Sequence, residues 1–85
     1  MLVNWSKHAQ LRVMERAAKF GLNYGDFDIE IKEQRVWFVE GDCIKTIFVV
    51  GGKFFTVIKE ETEKYIEVIT LWESNLVEVE MWKKK

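Results

Sequence analysis

Apolar positions recur at helical spacing in the first third of the chain and at strand spacing from Arg35 onward. Residues 5–20, WSKHAQLRVMERAAKF, form the first periodic stretch. Ser6 suits an N-cap, because its hydroxyl can accept a bond from an unpaired first-turn N–H. At about 100° per residue, Leu11, Val13, Met14, Ala17, Ala18 and Phe20 gather on one side of such a helix. His8, Arg12, Glu15, Arg16 and Lys19 gather on the other, and Gly21 supplies a stop.

Residues 22–33, LNYGDFDIEIKE, support two readings. Phe27, Ile29 and Ile31 alternate like a strand. Asn23 with Asp26 three residues on suits the start of a helix, and Leu22 and Phe27 have the spacing of a hydrophobic staple. The local chemistry favours a short second helix.

Strand-like runs then follow one another: RVWFVE (35–40), CIKTIFVV (43–50), KFFTVIK (53–59) and YIEVITLW (65–72). Gly41-Asp42 and Gly51-Gly52 separate the first three, and glycine accepts the positive φ that tight hairpins need. The polar EETEK (60–64) makes a loop. LVEVEMW (76–82) alternates and is expected to add a fifth strand before the Lys83–Lys85 tail. The expected fold is α+β: one or two N-terminal helices packed on an antiparallel four- to five-stranded meander sheet, in a single domain spanning 1–85. Helices cover one sheet face. The other keeps apolar side chains, as in Val36/Phe38 and Trp37/Val39, and points to a homodimer.

Composition narrows the class. At 48% hydrophobic and 32% charged, with four Trp and six Phe, the chain is too apolar for disorder. A net charge of −1 gives no global pull toward nucleic acid, so such a partner needs a local basic patch. The lone Cys43 makes no internal disulfide, no zinc-ligand spacing occurs, and neither a metal nor a cofactor is expected. No leader-like or membrane-spanning apolar run is apparent, so the expected location is the cytoplasm. The Glu- and Lys-rich balance has the flavour of heat-adapted proteins.

The candidate chemistry lies on the first helix. His8, Arg12 and Arg16 follow at i, i+4 and i+8, one line on a helix surface. Two guanidiniums suit phosphate oxygens, and an imidazole beside them can move a proton as a general base. Lys19 extends the patch. Thr70, on a half-buried strand, requires a hydrogen-bond partner, and His8 is a candidate. The same line also reads as a solvated helix face, or as a clamp between helix and sheet.

SKHAQLRVMER resembles the HAxxRxxxR opening of the small proteins grouped as domain of unknown function 4258. GLNYGDFDIEI is similar to that family's second-helix start. KYIEVITLW is similar to its closing viTvy strand, matching at Thr70, with Trp72 in the aromatic position. The family places a glycine directly after the second arginine, whereas here Ala17 to Phe20 intervene. The family is distantly similar to BrnT-type and RelE/ParE-type toxins. The resemblance therefore implies a toxin-like RNA-binding protein acting as a metal-independent endoribonuclease. It assigns proton transfer to His8, a phosphate clamp to Arg12 and Arg16, an orienting role to Thr70, and an antitoxin-like protein partner. The alternative is a non-catalytic structural or protein-interaction module.

Overall fold

A computed structural model describes residues 2–85. Its first element is a strand that the periodicity did not announce, β1 (Leu2–Trp5), followed by helix α1 (Lys7–Arg16). Ser6 sits between them with two tasks. Its hydroxyl oxygen accepts the Ala9 N–H at 3.0 Å, capping α1, and its O–H donates to the Ile69 carbonyl at 2.9 Å. Its own N–H donates to the Val68 carbonyl at 3.1 Å. Those bonds fix the helix rotation, so α1 buries Ala9, Val13 and Ala17, a stripe of small residues that lets it lie close on the sheet. The expected apolar side is only partly right. Val13 and Ala17 are buried, whereas Leu11 and Met14 are exposed at 51% and 66%. Helix α1 ends at Arg16, and a single 3-10 turn, Ala18–Phe20, leads to Gly21 at φ +76°.

Residues 24–33 are helical, as the cap chemistry favoured. Helix α2 (Tyr24–Glu33) starts in a capping box. Asn23 Oδ1 accepts the Gly25 N–H at 2.9 Å, and Asp26 Oδ2 accepts the Asn23 N–H at 2.8 Å. It buries Phe27 and Ile31, and Phe27 meets the rings of Phe48, Phe55 and Trp5 edge-on at 5.1–6.1 Å between centroids. At its C-terminus the buried Lys59 ammonium donates to the Ile31 carbonyl at 3.0 Å, a cation at the negative end of the helix dipole.

The sheet is mixed and five-stranded. Strands β2 (Trp37–Glu40), β3 (Cys43–Val50), β4 (Lys53–Glu61) and β5 (Tyr65–Glu73) form the expected antiparallel meander. Strand β1 adds to β5 in parallel, Leu2 beside Tyr65 through Trp5 beside Val68, giving the order β1-β5-β4-β3-β2. An expectation of a purely antiparallel sheet is corrected by this pair. A bulge interrupts β4–β5: Ile58 pairs with Thr70 and Lys59 with Val68, which leaves Ile69 without an opposite residue. Its carbonyl is the one that accepts the Ser6 O–H.

The segment 76–82 is not a fifth strand. Leu76–Lys83 forms helix α3, opened by a second capping box in which Asn75 and Glu78 bond reciprocally at 2.9 Å. The helix folds onto the sheet face opposite α1 and α2. Glu78 is buried there; its Oε1 accepts Trp72 Nε1–H at 2.9 Å and its Oε2 lies 3.6 Å from Lys45 Nζ. Trp82 packs edge-on against Phe54 at 5.1 Å, and Lys85 Nζ lies 4.8 Å above the Phe38 ring. The second sheet face is thus covered by the chain itself. Exposed apolar side chains remain at several places, among them Leu76 and Val77 on α3 and, on the edge strand β2, Trp37 at 43% and Val39 at 72%.

Candidate nucleic-acid interface

The His8, Arg12, Arg16 line runs along the flank of α1 beside its buried stripe. His8 is exposed. Its Nε2 lies 3.4 Å from Arg12 Nε, a long contact, and Arg12 Nη1 bonds Glu15 Oε2 at 3.1 Å. Arg12 is thereby partly neutralised by a carboxylate on its own helix. Arg16 is exposed and has no ion pair among the described residues.

Beyond Arg16 the line continues onto a corner of the fold. The 3-10 turn is held by Phe20 N–H to the Ala17 carbonyl at 2.9 Å and Gly21 N–H to the Ala18 carbonyl at 2.9 Å. Gly21 takes a left-handed backbone that a side chain would resist. Leu22 then rests on the β3–β4 hairpin, its Cδ2 only 3.0 Å from where a Cβ on Gly51 would stand. That contact brings the start of β4 alongside the turn. Lys53 Nζ lies 4.9 Å from the centre of the Phe20 ring, and Lys19 Nζ lies 5.0 Å from it. Phe20, 37% exposed, is therefore an aromatic surface residue between two ammonium groups drawn from segments far apart in sequence. Sequence reading placed Phe20 in the core and passed over Lys53. Only the docking of the hairpin on Leu22 unites them.

Thr70 does not join this surface. The bulge at Ile69 changes which face the following residues present. Ile66, Val68 and Leu71 belong to the core under α1, whereas Thr70 shares a row with Ile58 and Lys45 on the side of α3. The expected His8–Thr70 pairing is corrected on that ground: the sheet lies between them. Thr70 and Trp72 share a face, as expected, but not with Ile66 and Val68.

Elsewhere, a cleft of about 220 Å³ lies between β1, α1 and α2, lined by Asn4, Trp5, Gln10 and Tyr24. Gln10 is 200° around α1 from His8, so the cleft opens on the opposite flank. The Cys43 thiol is pushed above its ordinary pKa, first by burial and then by Glu60, whose Oε1 lies 3.7 Å away. Both effects favour its protonated form. Among the described residues no cluster of three or more His, Cys, Asp or Glu stands together, and no helix is long and apolar enough to cross a membrane. No family model, curated protein or solved structure matches the chain.

Proposed function

We propose that the chain binds single-stranded RNA through the basic corner formed by Arg12, Arg16, Lys19 and Lys53 around Phe20. The observation that carries this reading is the convergence of Lys19 and Lys53 on the exposed Phe20 ring. Single-stranded nucleic acid is held by cations that track its backbone and by aromatic faces on which bases stack. Both ammonium groups lie over the Phe20 ring in the free chain, so a base stacks there as a lysine swings off the ring to a phosphate; stacking on one ring then contributes about 1–3 kcal/mol. With an overall charge of −1, attraction to a polyanion rests on local basic patches such as this corner.

The reading is of binding without turnover. A general base is held within hydrogen-bond reach of the proton it takes, and His8 stands on an open helix flank with Arg12 as its neighbour at a long 3.4 Å. Thr70 lies across the sheet and cannot orient it. The resemblance of SKHAQLRVMER to domain of unknown function 4258 rests on short motifs alone, since no family model matches the chain; it favours an RNA-facing role for this helix. An antitoxin-like partner, if acidic, would occupy the same corner and compete with RNA. The test is fluorescence anisotropy of a short labelled single-stranded RNA. Wild type binds, Lys53→Glu abolishes binding, and Phe20→Ala weakens it by about 10-fold or more. Equal affinity of all three proteins refutes the proposal.

A further inference from the structure

The sheet order leaves β2 with one side open. The hydrogen bonding of its inner side determines which of its backbone groups point outward. Gly41-Asp42 closes a two-residue turn on the Glu40–Cys43 pair, and Ile47 N–H donates to the Val36 carbonyl at 3.0 Å. In an antiparallel ladder the bonded pairs alternate. Val36, Phe38 and Glu40 therefore bond inward, and the N–H and C=O groups of Trp37 and Val39 face the open edge. Natural edges are blunted by shortness, charged side chains, proline or a bulge. Strand β2 is short and ends on Glu40, but it carries no lysine or proline, and the sheet's bulge lies between β4 and β5.

We infer that a second copy of this chain pairs edge to edge with β2, antiparallel and two-fold symmetric about Phe38. The outward groups allow that register directly: Trp37 of each copy exchanges both backbone hydrogen bonds with Val39 of the other. The side chains agree with it. Trp37 and Val39, the exposed apolar pair, come opposite one another on one face, and cross-strand aromatic–β-branched pairs stabilise sheets. Phe38 meets Phe38 of the second copy on the other face. The charges agree as well. Arg35, exposed at 66% of its side chain and ion-paired with Glu33 of its own chain, stands at one end of the strand; Glu40, paired with Lys45, and Asp42 stand at the other. The two-fold brings Arg35 opposite Gly41 of the second copy, between that copy's two carboxylates. A patch that is complementary to itself in hydrogen bonding, shape and charge is what a two-fold interface requires. The assembly joins two five-stranded sheets into one. A four-residue strand makes a small interface, so the dimer is weak and concentration-dependent.

Sedimentation velocity from low micromolar to millimolar protein tests this. Wild type passes from monomer to dimer across that range. Val39→Pro removes an outward N–H and no inward one, so it keeps the wild-type circular dichroism and remains monomeric. Amide exchange supplies a second reading on the wild type: Trp37 and Val39 amides gain protection as concentration rises, while the Phe38 amide is protected throughout. An Arg35→Asp or Asp42→Arg change weakens the dimer, and the double swap restores it. A wild type that stays monomeric to millimolar concentration overturns the inference. So does a dimer in which Trp37 and Val39 exchange as fast as in the monomer, or one that the charge changes leave unaltered.

Discussion

Glu78 should be the residue on which α3 depends. Its carboxylate is buried against the sheet, where Oε1 accepts both Trp72 Nε1–H and the Asn75 N–H at 2.9 Å and Oε2 faces Lys45 at 3.6 Å. Replacement by glutamine keeps the Oε1 acceptor but changes two charge-assisted bonds into neutral ones. The difference between those classes is on the order of 1 kcal/mol per bond, so Glu78→Gln costs about 1–2 kcal/mol. Lys45 keeps Glu40 at 3.2 Å, which limits the loss. Glu78→Ala removes the acceptor as well. The Trp72 N–H loses its partner at about 1–3 kcal/mol, and half of the capping box opens at about 1 kcal/mol, for a total of about 2–4 kcal/mol. For a domain of this size those figures correspond to Tm falls of roughly 5–10 °C and 10–25 °C. Urea titration of the three proteins, followed by tryptophan fluorescence and by far-ultraviolet circular dichroism, gives the comparison. Equal stability of Glu78→Ala and wild type refutes the reasoning. So does a Glu78→Gln variant as damaged as Glu78→Ala.

Other outcomes follow from the same bonds and burials. Lys59→Met keeps the stem but strands the Ile31 carbonyl, costing about 1–3 kcal/mol. Lys59→Ala leaves a cavity in addition and loses roughly 2 kcal/mol more in the same urea assay. His8→Ala changes stability by less than about 0.5 kcal/mol, because the imidazole is exposed and its hydrogen bond is a long one within its own helix; a larger loss would establish a clamp. Cys43 reacts with iodoacetamide more slowly than a free thiol at mildly alkaline pH, because burial and Glu60 favour its protonated form. Its rate climbs as pH rises above the ordinary thiol value, and a rate matching free cysteine at every pH counts against that environment.

The elements that could be read from sequence were those with local chemistry to mark them. Ser6 caps α1, Asn23 and Asp26 open α2, and the two glycine turns place β2, β3 and β4. The same Asn-x-x-acid signature stands at Asn75 and Glu78, but the alternation of Val77 and Val79 outweighed it there. Strand β1 is four residues long, and its partner lies more than sixty positions away, so no local signal marks it. On α1 both sides carry apolar residues. The choice between Leu11/Met14 and Ala9/Val13 is made by Ser6 gripping β5, a tertiary fact. For the site, the helical row of His8, Arg12 and Arg16 was legible from spacing alone. Thr70 was misplaced by one bulge residue, since a single insertion exchanges the two faces of a strand. Phe20 and Lys53 meet only because Leu22 docks on the β3–β4 hairpin.

The central claim is that this corner neutralises RNA phosphates, and salt dependence tests it most directly. Arg16, Lys19 and Lys53 are cations there without carboxylate partners among the described residues. For a single strand each phosphate neutralised contributes about −0.7 to the slope of log K against log salt, so wild type should show a slope of about −2. Raising salt four-fold then weakens binding by roughly 20-fold. Lys53→Gln should bind more weakly, with a slope near −1.4. A wild type that binds no RNA at low salt contradicts the account, as does a slope that Lys53→Gln leaves unchanged.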